Sequence, residues 1–308
     1  MTPLNVIWRG ARLESVRETY FMMNVLLAKI GRAVRVVPIG DNEPLPLMDD
    51  VLIVSYQTEF DDYLKAAREK GCRNVGLFHL ADEKGTDDLS FYADADYVIR
   101  HYWFRPALAR PSETSLGVIW VPNGFANGVG PVPSETMLRM SHRYVGGFFS
   151  GVMEGRDERY DMIRTVDEAK LPFQIVKTPA FGQGLGAPSY AAYLSNARFA
   201  LVPAGNSPET IRLYDALETG AIPIMLRSDF VSEPEALGNP PIVVLDRWSD
   251  LPAFYSRYAD AASPTVIAEL QSKQDQILAW WKNFVGRQQT KVKDLVDKAF
   301  VRSSGRAG

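Results

Sequence analysis

The stretch PAGNSPETIRLYDALETGAIP, residues 203–223, follows the apolar run RFALV (198–202) and leads into the apolar run IPIML (222–226). Two short apolar runs flanking one helical segment predict a strand–helix–strand unit. Such a crossover joins parallel strands, so the stretch sets the fold class as α/β. Asn206 or Ser207 suits the helix N-cap, Pro208 the first helical position and Glu209 the first turn. Gly220 suits the C-cap. A well-capped packing helix explains those residues. It does not explain Gly205, which lets the backbone approach a ligand at a strand's carboxyl end, where open α/β sheets bind ligands. Nor does it explain Arg212 and Asp215, which are three apart and share one helix face. A helix N-terminus also offers free N–H groups to phosphate. Arg212 can pair with phosphate, and Asp215 can accept from ribose hydroxyls.

The same pattern extends outward. NVIW (5–8), VRVVPI (34–39), VLIVSY (51–56), VGLFHL (75–80), YVIRHYW (97–103) and GVIWVP (117–122) read as strands, with helices over about 14–30 and 60–71. These runs are apolar throughout, as expected of parallel strands covered on both faces. The Gly-, Pro- and Asn-rich PNGFANGVGPVPSETM reads as a linker. Alternation restarts with YVGGFFSG (144–151), a helix over about 154–169, FQIVKT (173–178), AAYLSNA, RFALVP, IPIML and IVVL (242–245). The expected organisation is a first Rossmann-like domain over 1–140, a second over 141–265, a bracing helix over 266–300 and a disordered tail over 301–308. The bracing helix reads as one helix or as two broken near Gly286.

Composition bounds the function. The 308 residues are 46% hydrophobic and 23% charged, with a net charge of −3. An ordinary core fits that composition, and a general nucleic-acid binder does not. The single cysteine, Cys72, permits no disulfide within the chain and favours a reducing compartment. No basic-then-apolar leader opens the sequence, and no apolar run approaches the ~18 residues of a membrane span. The expectation is a cytoplasmic protein, with contact at the inner membrane face left open. The three histidines, His79, His101 and His142, are scattered rather than clustered as zinc ligands. There is no Walker loop, nucleophile elbow or dinucleotide fingerprint after the first strand. The D-x-D at Asp94 and Asp96 precedes a strand and reads as a helix-to-strand connection.

SPETIRLYDALETGAIPIML resembles the exostosin-like glycosyltransferases, whose signature runs approximately P-R-G-x-S-x-x-x-x-R-L-F-[DE]-A-L-x-x-G-x-I-P-V. Pro203, Gly205, Ser207, Arg212, Leu213, Asp215, Ala216, Leu217, Gly220, Ile222 and Pro223 fit it. Tyr214 stands at the family's aromatic position, and Ala204 stands where the family has arginine. GGFFSGVMEGRDERYDMIR (146–164) resembles the family's F-F-x-G strand-turn followed by helix arginines. VGLFHLADE and YVIRHYWF are similar to the ribitol-xylosyltransferase branch and to bacterial surface-polysaccharide relatives.

The resemblance implies a GT-B fold, with two Rossmann-like domains across a cleft. It also implies a UDP-sugar donor on the second half, an acceptor on the first, inversion at the anomeric carbon, and no metal or other cofactor. By resemblance the donor's nucleotide and phosphates fall to Gly151, Arg156, Arg159, Thr178, Gly205, Asn206, Ser207, Glu209, Arg212 and Asp215. Each helix arginine also suits a merely solvated face. An inverting transferase needs a base for the acceptor hydroxyl. HLADE (79–83) ends a strand and offers Asp82, then Glu83 and His79. The acids equally suit a helix cap. Arg9, Gln57, Arg100 and Asn123 are acceptor-side candidates at or near strand ends. The expected product is a surface glycan or polyol-phosphate conjugate. The alternative is a non-catalytic nucleotide-sugar or glycan-binding module of the same fold.

Overall fold

The computed structural model describes residues 2–9, 13, 17, 19–40, 44–45, 48–55, 60–109, 116–180 and 183–305. The chain divides into two compact units, residues 1–123 with 284–308, and residues 124–283.

The first unit is built on six strands: β1 (Leu4–Arg9), β2 (Val34–Ile39), β3 (Asp50–Ser55), β4 (Asn74–His79), β5 (Tyr97–Arg100) and β6 (Val118–Trp120). They are parallel and run in the order β2-β1-β3-β4-β5-β6. β3, β4 and β5 are buried along their whole length, whereas the edge strand β2 is half exposed. That is why the middles of the inner strands are apolar, with polar residues such as Asp50, Asn74, His79 and Arg100 kept to their ends, and β2 carries Arg35. Helix α1 (Phe60–Glu69) sends Leu64 and Ala67 into a core with Ile53, Val75 and Leu77. A short helix, α2 (Arg105–Leu108), follows β5.

The helix expected over 14–30 takes another form where it is described. It is π-helical over Met22–Leu26 and 3-10 over Leu27–Lys29. Asn24 donates its side-chain amide to the Tyr20 carbonyl at 2.9 Å, the acceptor that a regular α ladder would use. Asp96 accepts the Val75 N–H at 2.9 Å and pairs with Arg68 at 3.1 Å. The D-x-D is therefore tied into the connection that precedes β5.

The second unit carries β7 (Val145–Val152), α3 (Asp157–Glu168), β8 (Phe173–Thr178), α4 (Ala187–Asn196), β9 (Ala197–Leu201), α5 (Ile211–Thr219), β10 (Ile222–Leu226), α6 (Asp229–Ser232), β11 (Val243–Leu245) and α7 (Leu251–Ser256). Its five parallel strands run β11-β10-β9-β7-β8. The last helix, α8 (Pro264–Gly305), is unbroken at Gly286 and runs on past residue 300. Its residues from Phe284 onward belong to the first unit, where Phe300 lies 4.7 Å from the Arg32 guanidinium. Among the described residues no helix is long and apolar enough to cross a membrane.

Three residues fix α5. Gly220 closes it in the left-handed conformation, φ 70°, the low-cost choice for a residue without Cβ. Arg143 is 1% exposed and donates to the Ala197 carbonyl at 2.8 Å and the Thr219 carbonyl at 2.6 Å. It thereby sets a cation at the C-terminal ends of both α4 and α5, where the helix dipoles favour one. Burial lowers its pKa to about 10, so it stays charged near neutrality. Gln274 of α8 donates to the Gly220 carbonyl at 3.0 Å.

Candidate functional site

In the second sheet, β7 has β8 on one side and β9 on the other. The connections leave β7 in opposite directions, so a crevice opens at the carboxyl ends of β7 and β9. This is the switch point at which open α/β sheets take ligands. Arg159, in the first turn of α3 and 5% exposed, spans it. Its guanidinium donates to the Val152 carbonyl at the end of β7 and, at 3.3 Å, to the Ala204 carbonyl beyond β9. Its neighbour Glu158 accepts the Ala204 N–H at 3.1 Å and the Trp248 indole N–H at 3.1 Å. The residue at the family's arginine position is thus held from both sides by α3, and a guanidinium reaches that turn from another element.

Arg212 approaches the same strand end. It donates to the Ser150 carbonyl at 2.8 Å and lies 5.4 Å from the Phe149 ring centroid. A Cβ on Gly151 would sit 2.6 Å from Arg212 Nη2, so only glycine leaves the guanidinium its place. Thr178, at the end of β8, pairs in register with Val152. The structure therefore gathers Gly151, Arg159, Thr178, Gly205, Ser207 and Arg212 around the ends of β7, β8 and β9.

The start of α5 differs from the sequence expectation. The helix begins at Ile211, behind an extended Thr210 with φ −129° and ψ 147°, and not at Pro208. The Ser207 hydroxyl donates to the Glu209 carbonyl at 3.1 Å rather than capping the helix. Gly205 N–H closes a tight turn onto the Ser207 carbonyl at 3.0 Å. Tyr214 donates its hydroxyl to the buried Glu209 carboxylate at 2.8 Å. These bonds draw residues 205–210 into a loop. The Thr210 hydroxyl, buried at the helix start, makes no hydrogen bond among the described residues. It is a donor that sequence reasoning missed, because the Ser-Pro pair is the stronger start signal.

Other expected residues lie elsewhere. Asp215 is 0% exposed, and its carboxylate accepts the Ala126 N–H at 2.8 Å. Glu218, one turn on, accepts the Val132 N–H at 2.7 Å and the Trp281 indole at 2.8 Å. That face of α5 holds the 124–132 segment. Asn206 is exposed, and the half-buried Arg156 donates to the Gly155 carbonyl at 3.0 Å.

In the first unit, His79 ends β4 and Arg100 ends β5, the neighbouring strand. Arg100 Nη2 pairs with Asp82 at 3.0 Å, with both side chains buried. Asp82 also accepts the Thr86 N–H at 2.9 Å. His79 shares hydrogen bonds with Tyr92 at 2.6 Å and Asp87 at 3.0 Å. Burial lowers the His79 pKa, reinforced by the Arg100 charge and opposed by Asp87. Ligand atoms of His79, Asp82 and Asp87 lie within 4.8 Å of one another, a spacing that also suits a cation. Arg100 already supplies positive charge to Asp82 there. Glu83 is half buried, and its carboxylate makes no hydrogen bond or ion pair among the described residues. Arg9, at the end of β1, donates to the Tyr63 hydroxyl at 2.9 Å. Asn123 is buried. Gln57 lies outside the described residues.

Two parallel helix-flanked sheets in one chain, closed by a long C-terminal helix, are the GT-B architecture of glycosyltransferases. Two solved structures share it. Sucrose-phosphate synthase from Thermosynechococcus elongatus superposes with a TM-score of 0.53 at 13% identity, over 96% of this chain and 99% of that one. TarM superposes with a TM-score of 0.54 at 9% identity, over 82% of this chain and 56% of that one. At these identities the likeness is one of fold. Residues 131–301 match the RXYLT1 C-terminal domain, and the chain belongs to that family, an exostosin-like branch. No curated protein matches the chain in sequence. Family and fold are those of a glycosyltransferase.

Proposed function

We propose that the chain is an inverting glycosyltransferase that takes a sugar from a nucleoside-diphosphate donor, UDP-linked, to a glycan or polyol-phosphate acceptor of a surface polysaccharide. One observation carries the reading. Arg159 bridges the ends of β7 and β9 beside Arg212 and the glycine at 151. Two guanidiniums at a switch point suit a diphosphate, because each offers a planar fork of donors matched to phosphate oxygens. The start of α5 and the Thr210 hydroxyl add donors at the same end.

The acceptor hydroxyl oxygen attacks the anomeric carbon as the bond to the diphosphate oxygen breaks. The electron pair leaves with the diphosphate, and the hydroxyl proton passes to a carboxylate of HLADE. Arg159 and Arg212 stabilise the charge that develops on the leaving group, the role a metal ion plays elsewhere. Asp215, enclosed against Ala126, acts in this reading by holding α5 rather than by touching ribose.

Calorimetry with UDP tests the assignment. Arg212→Ala is expected to weaken binding about 30-fold, equivalent to about 2 kcal/mol for a charge-assisted hydrogen bond. Unchanged affinity removes Arg212 from the site. A wild type that binds no nucleoside diphosphate overturns the donor class.

A further inference from the structure

The first turn of α3 does more than place Arg159. Glu158 and Arg159 are adjacent, and both bond to Ala204, the residue before Gly205. Glu158 accepts the Ala204 N–H at 3.1 Å, and Arg159 Nε donates to the Ala204 carbonyl at 3.3 Å. Two consecutive side chains thus fix both polar groups of one residue. An acid in a helix's first turn can complement the helix dipole from solvent without touching another element. Here Glu158 Oε1 turns to two other segments, because it also accepts the Trp248 indole N–H at 3.1 Å. Trp248 is 3% exposed and lies three residues beyond β11. One carboxylate oxygen therefore ties the segments that follow β9 and β11 to the helix that follows β7.

What this tie holds is the turn at Gly205. A Cβ placed there would lie 3.5 Å from Arg159 Nη2 and 3.8 Å from Thr210 Cγ2, so the guanidinium and the start of α5 flank the glycine closely. The Thr210 hydroxyl on that side is buried and makes no hydrogen bond among the described residues. Ala204 is the lever for the whole arrangement. Rotating it would move Gly205 along the chain and Arg159 through the bond to its carbonyl. The bond that resists the rotation is charge-assisted on the Glu158 side, the stronger kind of hydrogen bond. The buried indole keeps the carboxylate from swinging away.

We infer that Glu158 and Trp248 are positioning residues for the donor diphosphate. They hold the Ala204–Gly205 turn at the spacing at which the Arg159 guanidinium and the Thr210 hydroxyl serve one anion. The inference rests on the glycosyltransferase reading and deepens it by naming what sets the distance between the phosphate donors. Glu158 touches no ligand in this role, since its charge would repel a phosphate and its Oε1 is occupied by two N–H groups of the protein. The hydrogen bonds matter and the charge does not, so glutamine, which keeps an acceptor oxygen, can stand in for it.

The test is the affinity of the full chain for UDP, by calorimetry, and for uridine, which lacks the phosphates, by NMR titration. Glu158→Ala is expected to weaken UDP binding about tenfold and to leave uridine binding unchanged. Glu158→Gln should restore UDP affinity to within about threefold of the wild type. Trp248→Phe, which removes one donor to the carboxylate, should weaken UDP binding about threefold with no effect on uridine. If Glu158→Ala does not fold, Trp248→Phe and Glu158→Gln carry the test. Unchanged UDP affinity in Glu158→Ala and Trp248→Phe overturns the inference. Equal losses for UDP and uridine also overturn it, because they show a role in folding alone. So does Glu158→Gln binding UDP as weakly as Glu158→Ala. A wild type that binds no UDP brings down the donor reading and this inference with it, whereas failure of the inference alone leaves wild-type UDP binding intact.

Discussion

At the carboxyl end of the first sheet Arg100 is locked by a buried carboxylate, Asp82, at 3.0 Å. At the carboxyl end of the second, Arg159 and Arg212 are held by main-chain carbonyls of Val152, Ala204 and Ser150. A buried ion pair ties one turn to its neighbour, and bonds to main-chain carbonyls fix where a guanidinium's fork of donors points. The first arrangement suits a rigid scaffold that shapes neighbouring turns. The second suits an anion site. The difference separates arginines that look alike in sequence, each close to the end of a strand or the start of a helix.

The largest expected effect breaks the first arrangement. Asp82→Ala leaves Arg100 charged and 0% exposed, and removing one partner of a buried pair costs about 3–5 kcal/mol. Chemical denaturation should show that loss, while UDP affinity of the folded fraction stays unchanged. A fall in UDP affinity without loss of stability would reverse the roles assigned to the two sheet ends.

A smaller effect is expected from acid. His101 is 1% exposed beside Arg100, and burial, reinforced by the Arg100 charge and then by His79, pushes its pKa down to about 3. The unfolded chain takes up this proton below about pH 6.5 and the folded chain does not, so stability present above pH 6.5 is lost as the pH falls toward 3. By pH 5 the loss is about 2 kcal/mol. His79, also shifted downward, adds to it in the same direction. Melting temperatures of wild type and His101→Phe across pH 5–7 check this. Equal acid sensitivity would remove His101 as the cause.

The smallest effect sharpens the second arrangement. Gly151→Ala puts a methyl group 2.6 Å from Arg212 Nη2, and a flexible side-chain end can yield at little cost in stability. The displaced guanidinium should lower UDP affinity about tenfold, or about 1.4 kcal/mol. Calorimetry decides it, and an unchanged Kd would place the nucleotide away from Arg212.

Much of the architecture was legible because it is local. RFALV and IPIML are strands β9 and β10, and the segment between them contains a helix, as their apolar runs predict. What escaped depends on partners distant in sequence. Nothing near Asp215 in the chain announces Ala126, whose amide it takes. Asp82 and Arg100 are brought together only by the pairing of β4 with β5. The helix starts at Ile211 because Glu209 is claimed by Tyr214 and Ser207 turns its hydroxyl away from the helix amides, choices that capping preferences do not contain. In the described part of 14–30 the α ladder gives way at Met22, and the Asn24 side chain takes the Tyr20 carbonyl, a competition that helical periodicity does not contain.

Arg143 sets a limit on how the second unit can be cut out for study. All five of its strands lie within residues 145–245, so a fragment starting at Val145 looks complete on paper. It would lack the guanidinium on Ala197 and Thr219, and also the Leu138 carbonyl that Arg143 and Gln274 share. The carbonyls ending α4 and α5 would then be buried without a donor. A usable fragment has to begin upstream of Leu138 and extend beyond Gln274, and lysine, with one point of charge, is a poor replacement at position 143.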